Sequence, residues 1–178
     1  MGHRHTKDEI LAGALDTAFA EGLSRLTYGR VAKRLGISDR IVVYYFATKD
    51  DLVGEVLVSM ATKLMHTLAP AFTTPSADHL ALVRTAWPIL ANTEADPIFA
   101  LFFEANGLAV SRREPYATLM SGLIETWIAW AEQYLEGTPK QRKTEAETAI
   151  ALIDGLLLLR QLAGPTSANR AARRLGIT

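Results

Sequence analysis

Apolar residues recur every three or four positions along most of the chain, the spacing that places side chains on one face of an α-helix. The alternating pattern of a half-buried strand is absent, and the β-branched run Ile41 to Val43 lies within a helical segment. The pattern therefore predicts an all-α fold. The first helix begins at Thr6 or Lys7, ends at Gly22 and carries the stripe Ile10, Leu11, Ala14, Leu15, Ala18 and Phe19.

Residues 27–49, TYGRVAKRLGISDRIVVYYFATK, predict two short helices joined by a sharp turn. Thr27 and Ser38 are residue types that cap helix N-termini, and Gly36 supplies the left-handed conformation that ends a helix. Ala32 is small enough to let the two helices approach closely across the turn. This spacing is typical of a DNA-binding helix-turn-helix, although paired helices with a glycine corner also occur as plain packing units.

Basic residues are concentrated in this segment, although the whole chain has no net charge. Between residues 25 and 49 six basic residues stand against one acidic residue, a local charge of +5, whereas from residue 51 onward 11 basic and 13 acidic residues give −2. A basic face on a neutral protein indicates phosphate binding, and a solvated helix face is the alternative. In the second short helix the outward positions are Asp39, Arg40, Val43 and Tyr44.

Helical patterns continue downstream. Thr48 and Asp51 have the spacing of a capping box, and they start a helix to Leu68 that would act as a lever on the helix-turn-helix. The segment 143–163 is apolar nearly all round, so it must be covered on every side. We expect residues 115–136 and 143–163 to pair with the same segments of a second copy in a homodimer, with a central helix of the monomer core as the alternative.

Composition narrows the classes of function. The chain has no cysteine, and no catalytic motif or phosphate-binding loop is visible, so we expect no enzyme, no cofactor and no metal site. His3 and His5 are expected to lie in an unstructured terminus rather than to bind a metal. There is no apolar signal segment and no run of about 18 apolar residues to span a membrane. We therefore expect a soluble, cytoplasmic protein without membrane contact.

Three stretches between residues 10 and 52 carry a family resemblance: ILAGALDTAFAEGL, LTYGRVAKRLGIS and, above all, VVYYFATKDDL. They resemble the TetR-type family of helix-turn-helix transcriptional regulators. The resemblance implies about nine helices in two domains. Residues 1–47 would form the helix-turn-helix DNA-binding domain, and residues 48–178 the helical ligand-binding and dimerisation domain. It also implies a homodimer on double-stranded DNA and a small-molecule effector.

The resemblance also implies roles for individual residues. Tyr45 and Lys49 match positions that contact the DNA backbone, and Thr27 and Ser38 match caps that approach phosphates. Val43 departs from the family, whose members most often carry a tyrosine there. Arg40 and Tyr44 are the expected base readers, with Asp39 accepting from cytosine or supporting Arg40. The complete predicted DNA-binding set is Thr27, Arg30, Ser38, Asp39, Arg40, Val43, Tyr44, Tyr45 and Lys49.

Aromatic residues crowd the second half of the chain, where a small-molecule pocket is expected. Plain core packing is the alternative for each of them. The predicted ligand-binding set is Trp87, Phe99, Phe102, Phe103, Glu104, Asn106, Trp127 and Trp130.

The favoured function is a ligand-responsive repressor that binds a palindromic operator as a dimer and is released by a small apolar or amphipathic effector. A helical small-molecule carrier without DNA binding is the first alternative. A small helical enzyme using Glu104 and His66 is the second.

Overall fold

The structure is a computed structural model that describes residues 5–178, so His3 lies outside the described residues. Those residues form eight α-helices and no β-strand apart from one isolated β-bridge between Ser76 and Leu135, which confirms the all-α prediction. The helices are α1, Lys7–Glu21; α2, Tyr28–Leu35; α3, Asp39–Tyr45; α4, Lys49–Leu68; α5, His79–Leu90; α6, Asp96–Val110; α7, Tyr116–Glu132; and α8, Pro139–Arg174. Three short 3₁₀ turns lie at Leu23–Arg25, Ala69–Ala71 and Thr93–Ala95.

Two compact units share these helices. Unit 1 contains the chain up to Lys63 together with Leu101–Met120, and unit 2 contains Leu64–Ala100 and Ser121–Thr178. The domain boundary expected near residue 47 rests on function rather than on compactness, and it stays a prediction.

The residues that begin and end the N-terminal helices adopt the capping interactions that their residue types favour. The side chain of Thr27 accepts from the backbone N–H of Arg30, and that of Ser38 accepts from Arg40. Gly36 ends α2 in the left-handed conformation at φ 67° and ψ 32°. Reciprocal capping-box bonds join Thr6 with Glu9, and Thr48 with Asp51.

The core of unit 1 is built where α1, α2, α3 and α4 turn their apolar stripes inward. α1 and α2 approach closely at Gly13, where an added Cβ would lie 2.6 Å from Cδ2 of Leu35. A glycine at this point therefore sets the spacing of the two helices. The largest fully buried side chains of the unit are Ile10, Leu23, Leu26, Val31, Val42, Phe46, Leu52, Val53, Val56 and Leu57.

Helix α4 and the turn after it are strongly apolar. Among the described residues, Lys49–Ala71 is the one helical stretch with the length and composition of a membrane span, at a mean hydropathy of 1.2. A buried core helix has the same composition. Leu52, Val53 and Val56 are at most 1% exposed inside unit 1, so packing accounts for the apolar character of this part of α4.

Unit 2 combines an apolar core with one buried ion pair. Arg160 of α8 is 4% exposed, and its Nε and Nη2 donate to the two carboxylate oxygens of Asp96 at 2.6 and 3.0 Å. Such a bidentate pair fixes direction as well as distance. The core of the unit includes Leu82, Val83, Trp87, Leu90, Phe99, Leu135, Leu156 and Leu157.

Helix α8 differs from its sequence prediction at its start, and the break predicted after residue 163 is present. It begins at Pro139 rather than near residue 143, because Thr138 and Gln141 form a capping box that draws the polar residues 140–145 into the helix. Gly164 has non-helical angles, φ 82° and ψ 167°, and divides α8 into two segments. Counting those segments separately gives nine helical pieces in the described residues, the number expected from the resemblance.

Candidate nucleic-acid interface

Helix α3 exposes the side chains that the sequence predicted for reading DNA. Tyr44 is 81% exposed and Val43 is 44% exposed, and Asp39 and Arg40 are exposed beside them. Val42, on the opposite side of α3, is fully buried, so the helix has one inner and one outer face. This arrangement leaves the outer face free to enter a groove.

Tyr45 of α3 is half-buried, and its contacts are internal. Its hydroxyl donates to the backbone oxygen of His5 at 2.7 Å, and its ring packs edge-on against Tyr44 at a centroid distance of 4.9 Å. The backbone of His5 is therefore tied down, against the expectation of an unstructured end at this residue. The phosphate contact predicted for Tyr45 stays a prediction.

The remaining predicted DNA contacts surround α3 on neighbouring elements. Thr27 and Ser38 are exposed at their caps, and Lys49 is exposed as the first residue of α4. Arg30 forms an ion pair with Glu21 of α1, which reduces the charge it offers to a phosphate. Glu21 was not recognised from the sequence, since its partner lies in a different helix.

Glu104 of α6 holds the turn that follows α1. Its Oε2 accepts from the backbone N of Leu23 at 2.9 Å, and its Oε1 accepts from the backbone N and hydroxyl of Ser24 at 2.9 and 2.6 Å. Gly22 allows this approach: an added Cβ would lie 3.0 Å from Oε2, and its φ of 86° favours glycine. The sequence predicted that Glu104 anchors a ligand. That role stays a prediction, whereas the hydrogen bonds to Leu23 and Ser24 give Glu104 a structural role.

Hydrogen bonding determines the ionisation of Glu104. Burial alone raises the pKa of the carboxyl, but the bonds from Ser24 and Leu23 outweigh burial and hold that pKa below its ordinary value of 4.5. The group is thus an anion that accepts three donors from one short turn. Ser24 could not be linked to Glu104 from the sequence, because the two residues are 80 positions apart.

The predicted ligand residues fall in both units. Phe102, Phe103, Glu104 and Asn106 belong to unit 1, and the others to unit 2. Trp87 and Phe99 are 2% and 5% exposed, as expected of core residues. An aromatic cluster in unit 2 contains Trp127, Trp130, Tyr134 and Phe72, with successive ring-centroid distances of 5.5, 4.8 and 4.7 Å. The pocket assignment stays a prediction.

A small open cavity lies in unit 1, with a volume of about 150 Å³. It is bordered by the start of α4 and by the segment that joins α6 to α7, and no pattern in the sequence indicated it. Its lining residues are Ser24, Lys49, Asp50, Val53, Leu108, Arg113, Glu114, Pro115 and Tyr116.

An exposed basic helix-turn-helix at the start of an all-α chain supports the class of DNA-binding regulators. Residues 10–56 match the family described as bacterial regulatory proteins, tetR family. This match confirms the resemblance to the TetR-type family that residues 10–52 predicted. No curated protein matches the chain at a significant level.

Solved structures share the fold over nearly the whole chain. A transcriptional regulator from Rhodococcus sp. is 23% identical with a TM-score of 0.73, over 94% of this chain and 91% of its own. A TetR transcriptional regulator from Legionella pneumophila is 24% identical with a TM-score of 0.66, over 98% and 97%. The multidrug binding protein EbrR, solved with proflavin, is 23% identical with a TM-score of 0.65, over 95% and 98%.

Proposed function

We propose that this protein is a transcriptional repressor that binds a palindromic operator as a homodimer and leaves it when a small apolar or amphipathic effector binds. The exposed outer face of α3 is the observation that carries the proposal. Four neighbouring side chains of different chemistry, Asp39, Arg40, Val43 and Tyr44, are presented there by a helix whose other side is buried. A helix of this kind reads base edges in a major groove.

Basic residues around α3 support docking on the phosphate backbone. Lys49 is exposed at the start of α4, and Thr27 and Ser38 offer hydroxyl groups at two helix starts. Contacts of this type fix the register of the protein on DNA without reading sequence. The division at residue 47 into a DNA-binding and a regulatory domain follows from this assignment, as does a cytoplasmic location, where the DNA of a bacterial regulator lies.

The first experiment is a selection of binding sites from random DNA with the full chain. The proposal expects an enriched sequence with two inverted half-sites. Enrichment of a single half-site would contradict the dimer, and no enrichment together with no salt-dependent retention on any DNA would favour the ligand carrier.

Lys49→Ala tests the backbone contact on the selected site. Removing one phosphate contact reduces the slope of log K against log salt by roughly 0.9, so a dimer should show about twice that reduction. Lys140→Ala is the matched control, because Lys140 is exposed on α8 outside the predicted interface. An unchanged slope for Lys49→Ala would rule out its phosphate role.

An exposed apolar stripe on α8 supports the homodimer. Ala151, Gly155, Leu158 and Leu162 are spaced four, three and four residues apart, which puts them on one face, and Leu158 and Leu162 are 41% and 79% exposed. An exposed apolar face is unfavourable in water, and contact with the same face of a second copy would bury it. Leu158→Glu with Leu162→Glu should give monomers in sedimentation experiments, whereas Lys140→Glu should leave the dimer intact.

The aromatic cluster of unit 2 supports a planar or apolar effector. Trp127 and Trp130 are both half-buried, so their rings keep some access to a ligand. EbrR, which has the same fold, was solved with proflavin, and this dye is therefore a reasonable probe. Saturable quenching of tryptophan fluorescence by proflavin, weakened in Trp130→Phe, is the expected result. Quenching without saturation would exclude a defined site.

A further inference from the structure

The small cavity in unit 1 has the composition of a ligand site outside the predicted aromatic pocket. Its volume is about 150 Å³. An apolar cavity of about this volume in another protein accommodates a molecule the size of benzene. Val53, Leu108 and Pro115 form an apolar part of the lining, and charged and hydroxyl side chains form the rest.

Among the described residues, the cations in the lining lack charged partners, whereas each anion in the lining is stabilised by nearby donors. Neither Lys49 nor Arg113 forms an ion pair with any residue in the described range 5–178. Glu114, by contrast, accepts from the backbone N and hydroxyl of Thr118 at 3.3 and 3.1 Å. Asp50 lies in the first turn of α4, where free backbone N–H groups stabilise negative charge. The positive charges of Lys49 and Arg113 are therefore available to an anion.

A tyrosine hydroxyl provides a hydrogen-bond donor at the cavity. Tyr116 is 8% exposed and lines the cavity, and its hydroxyl makes no hydrogen bond to another described residue, so it is available to a ligand. Burial and the charge of Glu104 raise the pKa of Tyr116 above its ordinary value of 10.0, with Arg113 opposing the rise, so the phenol keeps its proton and can donate it.

We propose that this cavity binds a small monocarboxylate with a short apolar body. The carboxylate would accept from the Arg113 guanidinium and the Tyr116 hydroxyl, and the apolar body would pack on Val53, Leu108 and Pro115. Guanidinium and carboxylate match in a planar, bidentate geometry, which makes arginine the residue suited to this group. Lys49 adds a second positive charge at the rim.

This site would also act on DNA binding, a consequence that rests on the proposed function. Lys49 borders the cavity and is the predicted contact to the DNA backbone. A carboxylate in the cavity would attract the Lys49 ammonium and compete with phosphate for it. A bound carboxylate would thus weaken binding to operator DNA and to non-specific DNA alike. A ligand that changed only the spacing of the two α3 helices would instead weaken mainly binding to the operator.

The binding step is tested without DNA. Butyrate and benzoate are titrated into the full chain at constant ionic strength and followed by calorimetry, with butylamine and inorganic phosphate as comparison ligands. Saturable 1:1 binding of the carboxylates, with at least tenfold weaker binding to Arg113→Ala and several-fold weaker binding to Tyr116→Phe, is expected. Arg113→Lys, which keeps the charge, should recover part of the affinity.

Arg34→Ala is the matched control, since it removes one arginine on α2 that does not line the cavity. Equal carboxylate affinity in wild type, Arg113→Ala and Tyr116→Phe, with unchanged circular dichroism, would overturn the site. Tighter binding of butylamine than of butyrate would also overturn it. If carboxylates bind but the affinity for DNA does not change, the binding site is confirmed and the proposed competition with DNA for Lys49 is refuted.

Discussion

Ser24 gives both of its hydrogen-bond donors to a single oxygen of Glu104, its backbone N at 2.9 Å and its hydroxyl at 2.6 Å. The second carboxylate oxygen accepts from Leu23. The 3₁₀ turn after α1 is therefore fixed by a residue of α6 within unit 1. Since α1 also packs on α2, this carboxylate supports the helix-turn-helix without belonging to it.

Replacing Glu104 with glutamine should destabilise the protein by about 2 kcal/mol at pH 7, because the amide loses charge-assisted bonds and directs an NH₂ group at N–H donors. The pKa of Glu104 is held below its ordinary value, so the stabilisation is present above about pH 4.5 and is lost as the pH falls through the folded-state pKa. Urea unfolding at several pH values measures this.

Glu125→Gln serves as the control for Glu104→Gln, since Glu125 is exposed on α7. The curves of wild type and Glu104→Gln should converge at acidic pH, whereas Glu125→Gln should follow wild type throughout. A gap between wild type and Glu104→Gln that is equally large at pH 3 and pH 7 would show that packing, and not the charge, is responsible.

Tyr45→Phe removes the hydroxyl that donates to the His5 carbonyl at 2.7 Å. One hydroxyl proton cannot serve His5 and a DNA phosphate together. We therefore expect a loss of stability of about 1 kcal/mol with an unchanged DNA affinity at fixed salt concentration. Thermal unfolding and fluorescence anisotropy provide the two measurements. A weaker DNA affinity would instead establish the phosphate contact that the family resemblance implies.

Arg40→Ala should relax the preference for one base pair in each half-site. A bidentate arginine contact to guanine discriminates against other bases by about 1–3 kcal/mol, and that discrimination is what the variant loses. Anisotropy with the selected operator and single-base variants of it measures the change. Arg34→Ala is the control, and it should retain the preference. If Arg40→Ala retained the base-pair preference, other residues of α3 would be responsible for reading that base pair.

Asp154→Asn should make stability less dependent on pH. Burial raises the pKa of Asp154 from 3.8 to about 6, so the folded state binds a proton more tightly than the unfolded state does. The contribution of Asp154 to the free energy of unfolding should therefore decrease as the pH rises from about 4 to 6, by up to about 3 kcal/mol. The variant should be more stable than wild type at pH 7.

Urea unfolding at fixed protein concentration, at pH 4 and pH 7, measures the difference between Asp154→Asn and wild type. Asp16→Asn is the control, because Asp16 is exposed on α1. A variant that gains nothing at pH 7, or gains equally at both pH values, would show that Asp154 ionises normally in the folded protein.

Local signals predicted most of the fold. The side-chain caps at Thr27, Ser38 and Thr48 and the left-handed Gly36 act within a few residues, so they can be recognised without knowing any distant contact. The exposed side of α3 followed from helical periodicity in the same way. The early start of α8 has a local signal too, the capping pair of Thr138 with Gln141, which apolar periodicity alone does not reveal.

Long-range contacts account for what the sequence did not reveal. Glu104 is recognisable as a carboxylate on an apolar helix, but its partner Ser24 is 80 residues away and nothing nearby indicates it. Arg160 and Asp96 are likewise joined across 64 positions. The cavity beside Tyr116 depends on how α4 and the α6–α7 segment pack, which a pattern along one helix does not contain.

The contact of Gly13 with Leu35 has a consequence for how this chain can evolve. Position 13 is buried, yet it sets the spacing between α1 and the helix that carries the turn to α3. A side chain there would overlap Leu35, so a larger residue at position 13 requires a smaller or rotated one at position 35. Descendants of this sequence are therefore expected to acquire new operators through single changes on the surface of α3, and to change position 13 only when Leu35 rotates or is replaced by a smaller residue.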